Sequence, residues 1–160
     1  MMAFLNEDLV EKAVQLCLPS IRDVCAQHTW GPKGVVIAVM GKGMVCPYVH
    51  VMKELGDKSD WKTRWGDDSD FEAIALSKVN QAWNNSMSNR TIVGDFPWLL
   101  ENGDTLYTGS ACESSGLAVA VSGSHEYVDE AVSWVVWNVI RMLCLAKVQG
   151  LKDQGSYLVL

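Results

Sequence analysis

The chain has 160 residues and a net charge of −6, a length that fits one domain burying ~68–70% of the surface its unfolded form exposes. Apolar residues make up 49% and charged residues 20%, the balance of a folded protein rather than a disordered one. A pI near 4.9 and the lack of a Lys/Arg cluster exclude a phosphate-tracking surface, so nucleic acid is not expected as a partner.

The opening MMAFLNEDLVEKAV has no basic stretch and no long apolar core before its acids, so it does not read as a secretory signal and a cytoplasmic location is expected. The cysteines Cys17, Cys25, Cys46, Cys112 and Cys144 are odd in number and lack CxxC spacing. Reduced thiols are expected, rather than a disulfide framework or a zinc knuckle.

Residues 6–28 predict an amphipathic helix behind an Asn6 cap, with Leu9, Val10, Ala13, Val14, Leu16 and Cys17 at helical spacing. Pro19 either kinks it or starts a second helix, and Gly31-Pro32 ends the segment. The run from Gly34 to Met40 reads as a strand, and Gly41-Lys42-Gly43 as a tight hairpin turn.

A second strand is expected over Met44 to Met52. It points Val45, Val49 and Val51 to one side and Met44, Cys46, Tyr48, His50 and Met52 to the other. Thioether, thiol, phenol and imidazole together can line an apolar pocket around a flat ligand such as haem. One axial residue and an apolar slot suffice to hold a haem. His50 is therefore the first candidate for cofactor and metal ligation and His28 the second. The competing reading of this face is ordinary packing. Pro47 lacks a ladder donor and marks an edge strand or a bulge.

Residues 53–69 read as a polar loop in which Trp61 and Trp65 anchor onto the domain. Ser69 and Glu72 match a capping box for a helix running to about Met87, with Phe71, Ile74, Ala75, Lys78, Val79, Ala82 and Trp83 near one face. The turn-rich run from Asn84 to Asn89 separates that helix from Thr91-Ile92-Val93, and residues 96–100 form an apolar knot. Thr105 to Ala111 is expected to form a strand.

Leu117, Val119 and Val121 alternate with Ala118, Ala120 and Ser122, which predicts a strand with one branched and one small face. Ser124 then caps a helix starting near His125, with Glu126, Asp129 and Glu130 in its first turns. That helix is apolar on nearly every side from Ala131 to Leu145, so it is expected to bury more than one face and to support a homo-oligomer. Its uncharged run from Ala131 to Ile140 is about half the ~20 residues of a membrane span, so no membrane partner is expected. Gly150 reads as its C-cap, leaving 151–160 as a tail. Ser122-Gly123-Ser124 with His125 and Asp129 does not fit G-x-S-x-G, so capping rather than nucleophilic catalysis is expected there.

Two stretches carry a family resemblance: VSGS followed by DEAV around Asp129 and Glu130, and the run Ser69 to Lys78 with its Ile-Ala-x-x-Lys core. In order and spacing they resemble the haem-degrading or haem-binding domain family that includes GlcG, HbpS and the C-terminal part of PduO. The resemblance implies a profilin-like, often oligomeric domain, some of whose members bind haem or promote its breakdown. The chain departs from those relatives at Met40-Gly41, from His50 to Gly56 and from Tyr107 to Ala111.

The expectation is one α/β (α+β) domain over 1–160, profilin-like, with a largely antiparallel, five-stranded sheet packed with about three helices. Two functions compete. One is a non-catalytic or weakly catalytic small-molecule binder, with haem or a related hydrophobic cofactor as ligand. The other is a structural or interaction protein acting through homo-oligomerisation or partner binding.

Overall fold

Helix α1 (Glu7–His28) starts where Leu9 N donates to Asn6 Oδ1 at 3.0 Å. Pro19 lies inside it without dividing it, on the exposed side. The opposite stripe, Leu9, Val10, Ala13, Val14, Cys17, Ile21 and Cys25, is buried, whereas Leu16, expected on it, falls at the edge of the stripe and is exposed. The computed structural model describes residues 4–28, 34–59, 61, 70–114 and 116–156, with His28 as backbone only. The Gly31-Pro32 stop, Trp65, Ser69 and the apolar run 157–160 lie outside the described residues.

Strand β1 (Val35–Gly41) is apolar along its whole length because helices cover both faces of the sheet: Val35 through Val39 are fully buried. It pairs antiparallel with β2 (Tyr48–Met52), in a register running from Val35↔Met52 to Val39↔Tyr48. The second strand thus begins at Tyr48 instead of Met44. Pro47 has no N–H to give a ladder, and Lys42 N is spent on Gly116 O at 2.8 Å. Met44, Val45 and Cys46 therefore sit in the connection, with Val45 fully exposed.

Helix α2 (Phe71–Asn85) is capped by Asp70, whose Oδ1 accepts from Ala73 N at 3.0 Å. Glu72 pairs with Lys58, and the Ser69 half of the expected capping box lies outside the described residues. The helix stops at Asn85, earlier than expected, because Ser86 turns left-handed (φ 54°). The β-branched run 91–93 then falls inside a short helix, α3 (Asn89–Asp95), where Ser88 Oγ caps Thr91 N. A cap and burial of Ile92 override strand propensity there.

Strand β3 shrinks to Ser110–Ala111. Strand β4 (Leu117–Ser122) pairs with both β1 and β3, giving a four-stranded antiparallel sheet of order β2-β1-β4-β3. The described chain is thus a mixed α+β fold with four helices and a four-stranded sheet, rather than three helices and five strands.

The last helix, α4 (Glu126–Asp153), runs through Gly150 and ends at a Gln154 cap, so the expected stop at Gly150 does not occur. The two faces of β4 decide the layers. Leu117, Val119 and Val121 pack with α1 and α4, while Ala118 and Ala120 admit the apolar side of α2. The turn into α4 needs Gly123 (φ +122°), where an added Cβ would lie 1.9 Å from Gly34 O.

Candidate functional site

The predicted face on β2 is only partly assembled. Tyr48, His50 and Met52 alternate on the strand. Met52 is fully buried in the core beneath α1 and α4, and Tyr48 and Met44 pack against that core. His50 is half-buried, and burial pushes its imidazole down, against the pull of Glu54 and Glu11. Burial likewise raises the Tyr48 phenol, helped by Glu11 and Glu7. These acids place the rim of the face under the first turns of α1 and beside Glu54, which itself pairs with Arg22 at 3.0 Å.

Cys46 is exposed in the connection before the strand. The backbone of His28 ends α1, and its side chain lies outside the described residues. Described residues bound at least two cavities. One, of about 450 Å³, lies at Trp61 and the start of α2; a second, of about 500 Å³, lies between the first turns of α1 and Leu143, Ala146 and Lys147 of α4. Neither is lined by any of the β2 candidates. Trp61 is an anchor: it is buried, stacks edge-on to Phe71 at 5.2 Å and donates to Gly56 O. Among the described residues no three His, Cys, Asp or Glu side chains converge on a metal position.

A polar cluster missed from sequence joins the layers. Lys78 of α2 and Asp129 of α4 are 1% and 2% exposed. Lys78 Nζ donates to Asp129 Oδ2 at 3.1 Å and to Val121 O at 2.8 Å, and Asp129 Oδ1 accepts from Ser124 N at 3.1 Å. Burial raises the Asp129 carboxyl to about 6 even with Lys78 beside it. Burial also lowers the Lys78 ammonium, opposed by Asp129.

Gly109 (φ +129°) passes so close that a Cβ there would meet Asp129 Cβ at 2.6 Å, and Ser133 Oγ bridges Gly109 O and Asp129 O, each at 2.8 Å. Next to it, Asn89 Oδ1 accepts from Gly109 N, Ser110 N and Ser110 Oγ, while Asn89 Nδ2 donates to Tyr107 O. The sequence signal was Lys78 itself, a charge within the apolar stripe of α2, which requires a buried partner.

This cluster is closed and holds no exposed nucleophile. Ser124 does not cap α4; His125 occupies the cap position without a side-chain bond. Ser124 Oγ lies against Cys25 Sγ at 3.8 Å, and His125 stacks on Tyr127 at 5.4 Å. Asp129 spends its oxygens on Ser124 N and Lys78, so no Ser–His–Asp relay forms.

The remaining feature is α4's outward side. Its buried stripe is Val128, Asp129, Val132, Ser133, Val136, Trp137 and Ile140. Away from the body Val135, Met142 and Leu145 are 44%, 52% and 50% exposed, with Tyr127 and Val148 also exposed. The helix therefore buries one face and leaves a second apolar one open. By length and composition alone it is apolar enough to cross a membrane. No family model, curated protein or solved structure matches the chain.

Proposed function

We propose that this protein is a non-catalytic interaction protein whose binding surface is the outward face of α4. The observation carrying this reading is the run of half-exposed Val135, Met142 and Leu145 on a helix whose other side is already buried. Exposed apolar surface on one side of a rigid element is a recognition feature rather than a stabilising one. Kinship with the GlcG, HbpS and PduO C-terminal family, and the profilin-like fold that goes with it, belong to the same proposal; the helix–hairpin–helix–strand–helix order supports them.

A photo-crosslinking residue at position 142 tests the reading. It is expected to capture a protein, whereas the same residue at exposed Lys12 captures none. Equal yields at the two positions would remove α4 as the binding surface.

Haem binding at His50 is the second reading, favoured by the half-buried imidazole that burial keeps neutral and fit to ligate. Titration with haemin is expected to give a saturable spectral change that His50→Ala abolishes. A featureless titration, or one that His50→Ala leaves intact, counts against it.

A further inference from the structure

The exposed residues of α4 follow a coiled-coil spacing. Ala131, Val135, Asn138, Met142, Leu145 and Gln149 are all exposed and recur at alternating steps of four and three, the a/d seam of a helix pair. Four of the six are apolar and none is charged. The two polar positions are Asn138, which donates its own Nδ2 to Trp134 O at 2.8 Å, and Gln149 at the end of the seam, which donates its Nε2 to Asp153 Oδ1 at 2.7 Å.

We propose that the occupant of this seam is a second copy of the chain, docked as an antiparallel α4–α4 pair in which Val135 faces the copy's Leu145 and Asn138 faces its Met142. The proposal rests on the interaction reading above and names its partner. In an antiparallel pair each a position shares a layer with a d position of the other helix. Positions 135, 142 and 149 then meet 145, 138 and 131, so the seam fits its own reverse without a gap.

Charge favours the same direction. Glu126 lies at the N-terminal end of α4 and Lys152 at its C-terminal end, whereas Glu130 is already paired with Arg90 and Lys147 donates to Phe4 O. Antiparallel docking sets Lys152 at the level of the copy's first turns and opposes the helix dipoles favourably, whereas parallel docking stacks like on like. Arg141 lies on one flank near the two-fold, where it meets its own copy. Its long side chain turns outward to water, where salt screens that repulsion.

The seam from 131 to 149 is ~27 Å long at 1.5 Å per residue. With a helix width of ~10 Å it falls below the ~800 Å² per partner of a standard interface. The assembly is therefore a concentration-dependent dimer.

The test mixes two variants, Val135→Cys and Leu145→Cys, both carrying Cys46→Ser to remove the exposed native thiol. Under mild oxidation the mixture is expected to yield a disulfide-linked species containing one chain of each kind, with little product from either variant alone. Sedimentation equilibrium of the wild type should show monomer and dimer exchanging with concentration, and Leu145→Glu should weaken the dimer about tenfold or more, since it buries an unpaired charge.

A Val135→Cys homodimer as the main product would overturn the antiparallel pair yet leave α4 as the interaction surface. A wild type that stays at 17.6 kDa at every concentration, without cross-linking, would overturn the second copy as occupant. Capture of a different protein at position 142 would then show that the interaction reading survives alone.

Discussion

Lys78 and Asp129 set the terms at the scale of single residues. Both sit where water is absent, and the shifts of both are dominated by that loss. The pair is thus a device for fixing how α2, β4 and α4 meet, rather than a source of net stability. Lys78→Met strands a buried carboxylate and is expected to cost about 3–5 kcal/mol in urea unfolding, whereas Lys78→Met/Asp129→Asn should recover much of the loss. If the double variant is as unstable as the sum of the singles, the two residues are not coupled.

The pH dependence has a definite sign. Asp129 is raised from 3.8 to about 6 in the fold, so its proton is held more tightly folded than unfolded. Its contribution is fully present below about 3.8 and lost as pH rises through about 6. Stability of the wild type should therefore fall across that window relative to Asp129→Asn. Lys78, shifted down, acts oppositely at alkaline pH: its contribution is present above 10.5 and lost as pH falls through its lowered folded value.

At the scale of elements, α3 acts as a stopper for the sheet. Strand β3 is an edge strand, and edges invite pairing with other chains. Asn89, the first residue of α3, presents to Gly109 and Ser110 the acceptor that a further strand would offer, and gives Tyr107 O the donor. Asn89→Ala leaves two buried N–H groups without an acceptor, at about 1–3 kcal/mol each. The expected result is a loss of about 2 kcal/mol or more in urea unfolding, with faster amide exchange at Gly109 and Ser110. A loss under about 0.5 kcal/mol, as for an ordinary surface change, would show that water replaces the side chain.

Legibility divides along the same line. Helices α1 and α2 and strand β4 were readable because each carries its own apolar period, as from Leu117 to Ser122, and β1 and α4 because each is a continuous apolar run bounded by turn residues. The 89–111 stretch was not, because a side chain from a helix replaces the ladder that would have drawn residues 105–109 into a strand. The β2 candidates were readable as one face of a strand, but not the descent of Met52 into the core under α1, which depends on tertiary packing. The Lys78–Asp129 pair left half a signal: a lysine in an apolar stripe announces a partner without naming it.

For the molecule as a whole, helices on both sides of the sheet explain why β1 is apolar throughout and why α4, lying outermost with α1, retains an open apolar seam. The middle pair of strands, β1 and β4, joins Gly41 to Leu117. Their pairing closes a long loop, whose entropy must be met before the contacts reward it. A chain emerging from the ribosome thus releases Val35 to Met40 well before the strand that shelters it has been translated. In that interval a β-branched, uncharged hexapeptide is open to neighbouring nascent chains. Its safety in that interval rests on the speed with which Tyr48 to Met52 pair with it, well before Leu117 to Ser122 arrive.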